Sequence, residues 1–120
     1  MVIATDAPLS DRNLERLAAR AIMGLARTGS SASNGSGDYV LAFSTNEKVR
    51  RAYNAPRLAT EELANEQMSA LFEASVEATE EAIYNSLFMA STTSGNGHTV
   101  DAIPLDKVRA VLTKYNVVGR

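Results

Sequence analysis

Several residue types that carry chemistry or cross-link small folds are missing from the sequence. It contains no cysteine, and its only histidine is His98. Without cysteine, disulfide bonds, thiolate metal sites and a cysteine nucleophile are excluded. A single histidine also excludes a multi-histidine metal site and any catalytic triad that needs a second imidazole. His98 itself lies in a predicted turn with no nucleophile at a recognisable spacing, which favours a structural role.

An excess of one charge and long apolar runs are also missing. Twelve basic and fourteen acidic side chains give a net charge of -2, which is not typical of proteins that bind nucleic acid or anionic membranes. No apolar run approaches the roughly 18 residues of a membrane span. The first six residues lack the basic region of a signal peptide. We therefore expect a cytoplasmic protein that binds neither nucleic acid nor a membrane.

The composition that remains is typical of a folded domain. Of the 120 residues, 45% are apolar, and a chain of this length buries about two-thirds of its surface on folding. That is enough for one modest core. The sequence therefore predicts a single domain over residues 1–120.

Hydrophobic periodicity predicts a mixed α/β fold. Val2–Thr5 is a short apolar run that Pro8 ends, and it indicates a strand buried on both faces. An amphipathic helix is predicted over 11–27, with Ser10 as its N-cap and Gly29 as its C-cap.

The second half of the chain is predicted to continue with two strands and two helices. The further elements are a central strand over 39–45, a long helix over 61–90 capped by Thr60, a turn over 92–98, a strand over 99–103 and a helix over 105–115. Three strands are too few to cover so long a helix. We therefore expect the chain to form part of a larger sheet sandwich.

The segment over 29–37 is rich in glycine and serine, but it does not fit a phosphate-binding loop. No Gly-Lys-Ser/Thr follows it, and it leads into a strand instead of a helix N-terminus. Ser36 and Asp38 follow each other at a spacing of two, so they project to one side if the backbone is extended. Taken from the residues alone, a flexible connector that ends in a turn remains the favoured interpretation.

Several segments of the chain resemble one protein family. The segments are Ala-Thr-Asp-Ala-Pro-Leu over 4–9, Leu-Glu-Arg-Leu-Ala over 14–18, Gly-Leu-Ala-Arg-Thr-Gly over 24–29, Ser-Gly-Asp over 36–38, Leu-Ala-Phe-Ser-Thr over 41–45, Glu-Ala-Thr-Glu-Glu-Ala-Ile over 77–83, Asn-Ser-Leu over 85–87 and Gly-His-Thr-Val over 97–100. Together they resemble the DmpA-type aminopeptidases, which comprise the L-aminopeptidase/D-esterases and the β-peptidyl aminopeptidases. The resemblance covers nearly the whole chain.

The resemblance implies a fold, an activity and partners. The fold is a four-layer αββα sandwich of the self-cleaving, N-terminal-nucleophile-like type, in which this chain corresponds to the C-terminal small subunit. The implied activity is removal of N-terminal residues from short peptides, amides or esters. The implied partners are the large N-terminal subunit of the same precursor and further copies in a homo-oligomer. No metal or organic cofactor is implied.

The resemblance also implies roles for two residues. A new N-terminal serine would be the nucleophile, and its own α-amine, with a reference pKa near 8, would accept the hydroxyl proton. Ser36 would be a polar relay beside that amine, and Asp38 would be the carboxylate that orients it. Some members carry glutamate where this chain has Asp38.

The nucleophilic serine is expected a few residues before Met1 and is not in this sequence. Ser10 cannot replace it, because Ser10 lies beyond Pro8 at a helix start. An alternative hypothesis is therefore a non-catalytic scaffold, or an inactive fragment of the same fold. Acyl transfer, as in ornithine acetyltransferase-like proteins, is a more distant option because it needs a threonine nucleophile that nothing over 1–5 suggests.

Overall fold

The structure, a computed structural model, describes residues 1–117. It contains four strands and three α-helices: β1 (Val2–Thr5), α1 (Asp11–Arg27), β2 (Leu41–Ser44), α2 (Ser69–Phe88), β3 (Thr93–Gly95), β4 (His98–Val100) and α3 (Leu105–Lys114). Short 3-10 helices lie at Glu47–Val49 and Asn65–Gln67. The chain divides into two compact units, Met1–Glu81 and Ala82–Arg120, which are described separately.

The first unit is built on a parallel pair of strands. β1 pairs with β2 in the register that places Val2 opposite Leu41, and α1 is the connection between the two strands. Residues of both strands alternate between exposed and half-buried positions. The half-buried face includes Ile3, which packs against the core formed with α1. The predicted strand at Val2–Thr5 and the predicted helix over 11–27 are therefore confirmed to the residue.

The other face of this sheet is apolar and open to solvent. Val2 is 66% exposed, Leu41 is 71% exposed and Phe43 is 47% exposed. Within residues 1–117, the predicted burial of the first strand on both faces is therefore not found, and the strand predicted over 39–45 is found as the shorter β2. Among residues 1–117, α1 covers one face of the sheet only, and no third strand pairs with it.

The core of the first unit joins the chain before α1 to the interface between α1 and α2. Leu9, Leu17 and Met68 form its buried cluster. On α1, Gly24 lies against α2 so closely that a Cβ atom there would be 2.5 Å from the Val76 carbonyl oxygen. The buried Ser75 hydroxyl donates to the Leu17 carbonyl oxygen at 3.2 Å. Small side chains therefore set the close approach of the two helices.

α2 begins eight residues later than the sequence predicts. The predicted helix over 61–90 and its N-cap at Thr60 are wrong at this end, because residues before Ser69 use their backbone groups elsewhere. The Leu63 amide donates to the Pro8 carbonyl oxygen at 2.8 Å, and a 3-10 turn then leads into the helix. These tertiary bonds prevail over the helical pattern of the sequence.

The second unit consists of the end of α2, a hairpin and α3. β3 and β4 pair antiparallel, with Gly95 opposite His98. Asn96 and Gly97 between them have φ values of 51° and 77°, as in the two-residue turns that favour the Asn-Gly pair. The predicted strand over 99–103 is therefore found as β4, which begins one residue earlier and ends at Val100. The predicted turn over 92–98 is wrong in part, because it contains β3 as well as the two-residue turn. The predicted last helix over 105–115 is confirmed within one residue.

Within residues 1–117, no helix combines the length and apolarity that crossing a lipid bilayer requires. The expectation of a single domain over 1–120 stays a prediction.

The packing at Gly24 predicts whether replacing this glycine by alanine stabilises or destabilises the protein. Alanine normally stabilises the interior of a helix relative to glycine by about 1 kcal/mol. We expect Gly24→Ala instead to destabilise the protein by about 1–3 kcal/mol, because its Cβ would also lie 2.8 Å from Thr79 Cβ. Urea unfolding measures the change. Gly95→Ala is the matched control, because no atom lies within 4 Å of its Cβ position, and an equal loss in both variants would contradict the packing argument.

Candidate functional site

The backbone of Met1 is hydrogen-bonded to residues at the N-terminal end of β2 and just before it. The Met1 amine donates to the Tyr39 carbonyl oxygen at 2.6 Å, and the Leu41 amide donates to the Met1 carbonyl oxygen at 3.0 Å. These two bonds extend the parallel ladder of β1 and β2 toward their N-terminal ends. Residues that are 38 positions apart in sequence are thereby held next to each other.

Ser36 and Asp38 form a hydrogen-bonded pair directly before this point. The Ser36 hydroxyl donates to the Asp38 Oδ2 atom at 2.6 Å. A turn before the pair is closed by the Ser36 amide, which donates to the Ser33 carbonyl oxygen at 2.9 Å. Asp38 immediately precedes Tyr39, so the pair lies next to the contact that Met1 makes. The structure therefore brings the two predicted site residues together, near the start of the chain.

The polarity of this pair decides what it can bind. A serine hydroxyl has one proton, and in Ser36 that proton is directed at the carboxylate. The remaining lone pairs of Ser36 and of Asp38 can only accept hydrogen bonds. Both side chains are exposed, and neither has another partner among residues 1–117. The group that completes this site must therefore be a donor, such as an amine or a hydroxyl.

The backbone around the pair differs from the expected extended strand. Residues 36–40 lie outside the regular strands, and β2 begins only at Leu41. A Cβ atom on Gly37 would meet only the Tyr39 ring, at 3.9 Å. If a backbone approaches Gly37 closely, as its small size permits, it belongs to residues outside this part of the chain.

The other chemistry-bearing features lie elsewhere. An open cleft of about 330 Å³ lies by the N-terminus of α1 and the end of β2, and Ser10, Asp11, Ser44 and Arg51 are among its lining residues. Neither Ser36 nor Asp38 lines it. No group of three or more histidine, aspartate or glutamate side chains in residues 1–117 has a metal-binding arrangement.

One contributor to the site is missed by sequence reasoning. The carbonyl of Tyr39 holds the Met1 amine, but a backbone acceptor carries no residue-type signal. Only the register of β1 against β2 could have indicated it, and register follows from the packed faces of the strands. His98 lies in β4, where it is exposed.

Comparison with known proteins decides the family. The model of peptidase family S58 matches residues 1–100. The chain belongs to this family. The resemblance that the sequence segments indicate is thereby confirmed.

Relatives in family S58 include proteins with assigned activities. The chain is 43% identical over 116 residues to the β-peptidyl aminopeptidase BapA of Sphingosinicella microcystinivorans, and the matched region is 96% of this chain but 29% of that protein. This chain therefore spans less than a third of the length of that relative.

Solved structures confirm the fold class. The chain has a TM-score of 0.85 and 45% identity to the PH0078 protein of Pyrococcus horikoshii OT3, over 96% of this chain and 33% of that one. It has a TM-score of 0.87 and 36% identity to the L-aminopeptidase D-Ala-esterase/amidase of Ochrobactrum anthropi, over 98% and 34%. The latter is described as a prototype of the serine aminopeptidases and a variant of the Ntn hydrolase fold. The mixed helix-and-strand chain is thus part of an Ntn hydrolase-type fold.

The exposure of the pair predicts how little it contributes to stability. Replacing exposed side chains that hold no other element in place changes the free energy of unfolding by less than about 0.5 kcal/mol. We expect Ser36→Ala and Asp38→Asn each to stay within that limit in urea unfolding. A loss of about 2 kcal/mol or more would show that the pair is a structural contact of the loop.

Proposed function

We propose that the chain is the small subunit of a self-processed serine aminopeptidase that removes N-terminal residues from short peptides, amides or esters. The family S58 match carries this proposal, together with an acceptor pair at the start of the chain. No metal or organic cofactor takes part. The 120 residues form the C-terminal part of one αββα domain, and the location is cytoplasmic.

In this proposal, the nucleophile is a serine a few residues before Met1. Parallel register supports that position. Because Val2 is opposite Leu41, each step back along β1 is matched by a step back along β2, so residues preceding Met1 run alongside Tyr39 and Asp38. A serine with a free α-amine there presents an amine and a hydroxyl, the two kinds of donor that the pair lacks.

Asp38 and Ser36 have distinct roles in this mechanism. The Asp38 carboxylate orients the α-amine of the nucleophilic serine, and Ser36 links that amine to the carboxylate as a polar relay. The amine takes the proton of the serine hydroxyl as the oxygen attacks the substrate carbonyl. The protonated α-amine then gives this proton to the departing amine or alcohol, which leaves the acyl group on the serine oxygen. In the second half-reaction the α-amine takes a proton from the attacking water and returns it to the serine oxygen as the acid product leaves. The oxyanion donors come from the large subunit.

In this proposal, the large subunit of the same precursor covers the open face of the sheet formed by β1 and β2. The three exposed residues Val2, Leu41 and Phe43 form an apolar strip, and burying a side chain of this size is worth about 1.5–3 kcal/mol. A second sheet packed on this face gives the inner layers of the αββα sandwich. Homo-oligomerisation of the processed enzyme is part of the same proposal.

The decisive experiment measures hydrolysis by the complete protein, which carries the upstream serine and the large subunit. Steady-state assays on aminoacyl p-nitroanilides of α- and β-residues should show turnover that survives a chelator. We expect Ser36→Ala and Asp38→Asn to lower kcat about a hundredfold, the usual size of a lost positioning or proton-transfer contribution. Asp38→Glu keeps the carboxylate and should retain most of the activity.

Ser33→Ala is the matched control for these variants, because it lies in the same loop and only its backbone carbonyl is used. Its kcat should equal that of the unmodified protein. Unchanged kcat in Asp38→Asn would refute the orienting role. Absence of hydrolysis by the complete protein with its upstream serine would instead favour the scaffold hypothesis.

A further inference from the structure

Two asparagines of the chain are followed by glycine, Asn34 in the segment before β2 and Asn96 in the hairpin of β3 and β4. An Asn-Gly pair is chemically labile in water. The backbone nitrogen of the glycine can attack the side-chain carbonyl carbon of the asparagine, and glycine has no Cβ atom to obstruct this approach. Both pairs have the same covalent chemistry, so a difference in their reactivity must come from the surrounding structure.

The segment around Asn34 is held by few contacts. Residues 31–38 are all exposed. Among the residues that the structure describes, their hydrogen bonds join them only to each other or to Ser30. Asn34 lies in a turn that one backbone bond closes, from the Ser36 amide to the Ser33 carbonyl oxygen at 2.9 Å. This turn can therefore open without disturbing a strand or a helix.

Both reacting groups of this pair are free of hydrogen bonds. In the described part of the chain, neither the Gly35 amide nor the Asn34 side chain has a partner. A Cβ atom at Gly35 would meet no atom within 4 Å, so this side of the peptide is open to water. Gly35 has a φ of 98°, which residues with a Cβ atom rarely adopt. The turn therefore favours, directly after Asn34, the residue whose amide is least hindered.

The same pair in the hairpin is held more firmly. Ser94 is opposite Thr99 in the antiparallel ladder, and their hydroxyl oxygens lie 2.7 Å apart. Ring closure needs rotation about the backbone of Asn96, which would disturb the ladder bonds beside the turn. One net hydrogen bond corresponds to a change of up to about tenfold in a local opening equilibrium. We therefore expect Asn96 to react more slowly than Asn34.

We propose that Asn34 is a site of spontaneous modification, at which ring closure onto Gly35 converts the side-chain amide to an acid. The Gly35 nitrogen forms a bond to the Asn34 Cγ atom, and its proton leaves with the amide nitrogen as ammonia. A five-membered succinimide results, which water opens at either carbonyl. One product is aspartate. The other is isoaspartate, in which the main chain runs through the former side chain.

The modification changes the loop that carries the acceptor pair. Isoaspartate adds one atom to the main chain inside the turn that the Ser36 amide closes, so the bond to Ser33 cannot keep its geometry. Both products also add a negative charge two residues before Ser36, and this carboxylate can compete with Asp38 for a donor. We expect lower activity as a result. This consequence rests on the proposed function, whereas the modification itself does not.

Peptide mapping of the complete protein tests the modification. The purified protein is incubated in mildly alkaline buffer and digested with trypsin, and mass spectrometry with fragmentation follows both asparagines. Asn34 should convert at least about tenfold faster than Asn96, because its turn opens more readily. In urea the two rates should become similar, since only the fold separates them. Equal rates in the folded protein, or no conversion at Asn34, would overturn the proposal.

The change of activity during incubation tests the consequence. Asn34→Gln is the matched control, because it keeps the amide but its longer side chain does not form the five-membered ring. Its initial kcat should equal that of the wild type and should persist. The wild-type kcat should fall in step with the modified fraction of the peptide over 28–48, since loss of the Ser36 contribution lowers turnover about a hundredfold.

The outcomes separate this inference from the proposed function. Conversion of Asn34 with unchanged kcat, or an equal loss of kcat in Asn34→Gln, would refute the effect on activity. Fresh complete protein that hydrolyses no aminoacyl p-nitroanilide would refute the proposed function instead, and the mapping result would still decide whether Asn34 is modified.

Discussion

The parallel pairing of β1 with β2 is the constraint on which the rest of the chain depends. A parallel pair needs a long connection, and α1 supplies it and covers one face of the sheet. The same pairing places Met1 beside the start of β2, because its backbone is bonded to Tyr39 and Leu41. The acceptor pair of Ser36 and Asp38 directly precedes Tyr39 in sequence, the residue whose carbonyl oxygen holds the Met1 amine.

The close contact of α1 with α2 holds the second helix in a fixed position against the first. Gly24 and the buried polar residues Ser75 and Thr79 let the two helix backbones approach. Both polar side chains are satisfied by backbone carbonyl oxygens, so burying them leaves no unpaired group. The helices are thereby held in one relative position.

Elements with a strong local signal could be predicted from the sequence, and elements set by distant contacts could not. The helix from Asp11 to Arg27 has a sharp apolar stripe, so its limits could be predicted. Ser10 occupies the N-cap position without a side-chain capping bond, and Thr28 is the C-cap in place of the predicted Gly29, which follows it with a φ of 98°. The start of α2 was predicted wrongly because the Leu63 amide bonds to Pro8, which lies 55 residues earlier. The hairpin at Asn96 and Gly97 has a local turn signal that the interpretation of 92–98 as one turn overlooked.

The candidate site also contains features with a local sequence signal and features set by distant contacts. The spacing of Ser36 and Asp38 indicated that their side chains could meet, and they do. Their roles came only from resemblance to a family, since serine, glycine and aspartate are also the commonest turn residues. The Tyr39 carbonyl had no side-chain signal at all. Backbone acceptors of this kind become visible only when strand register is known.

The parallel pair in the first unit has one further consequence. Among the residues described, β1 and β2 pair only with each other, so each strand has a second edge with unpaired amide and carbonyl groups. Such edges pair with any extended segment that reaches them first. A monomeric state of these residues therefore requires that both outer edges be paired or covered.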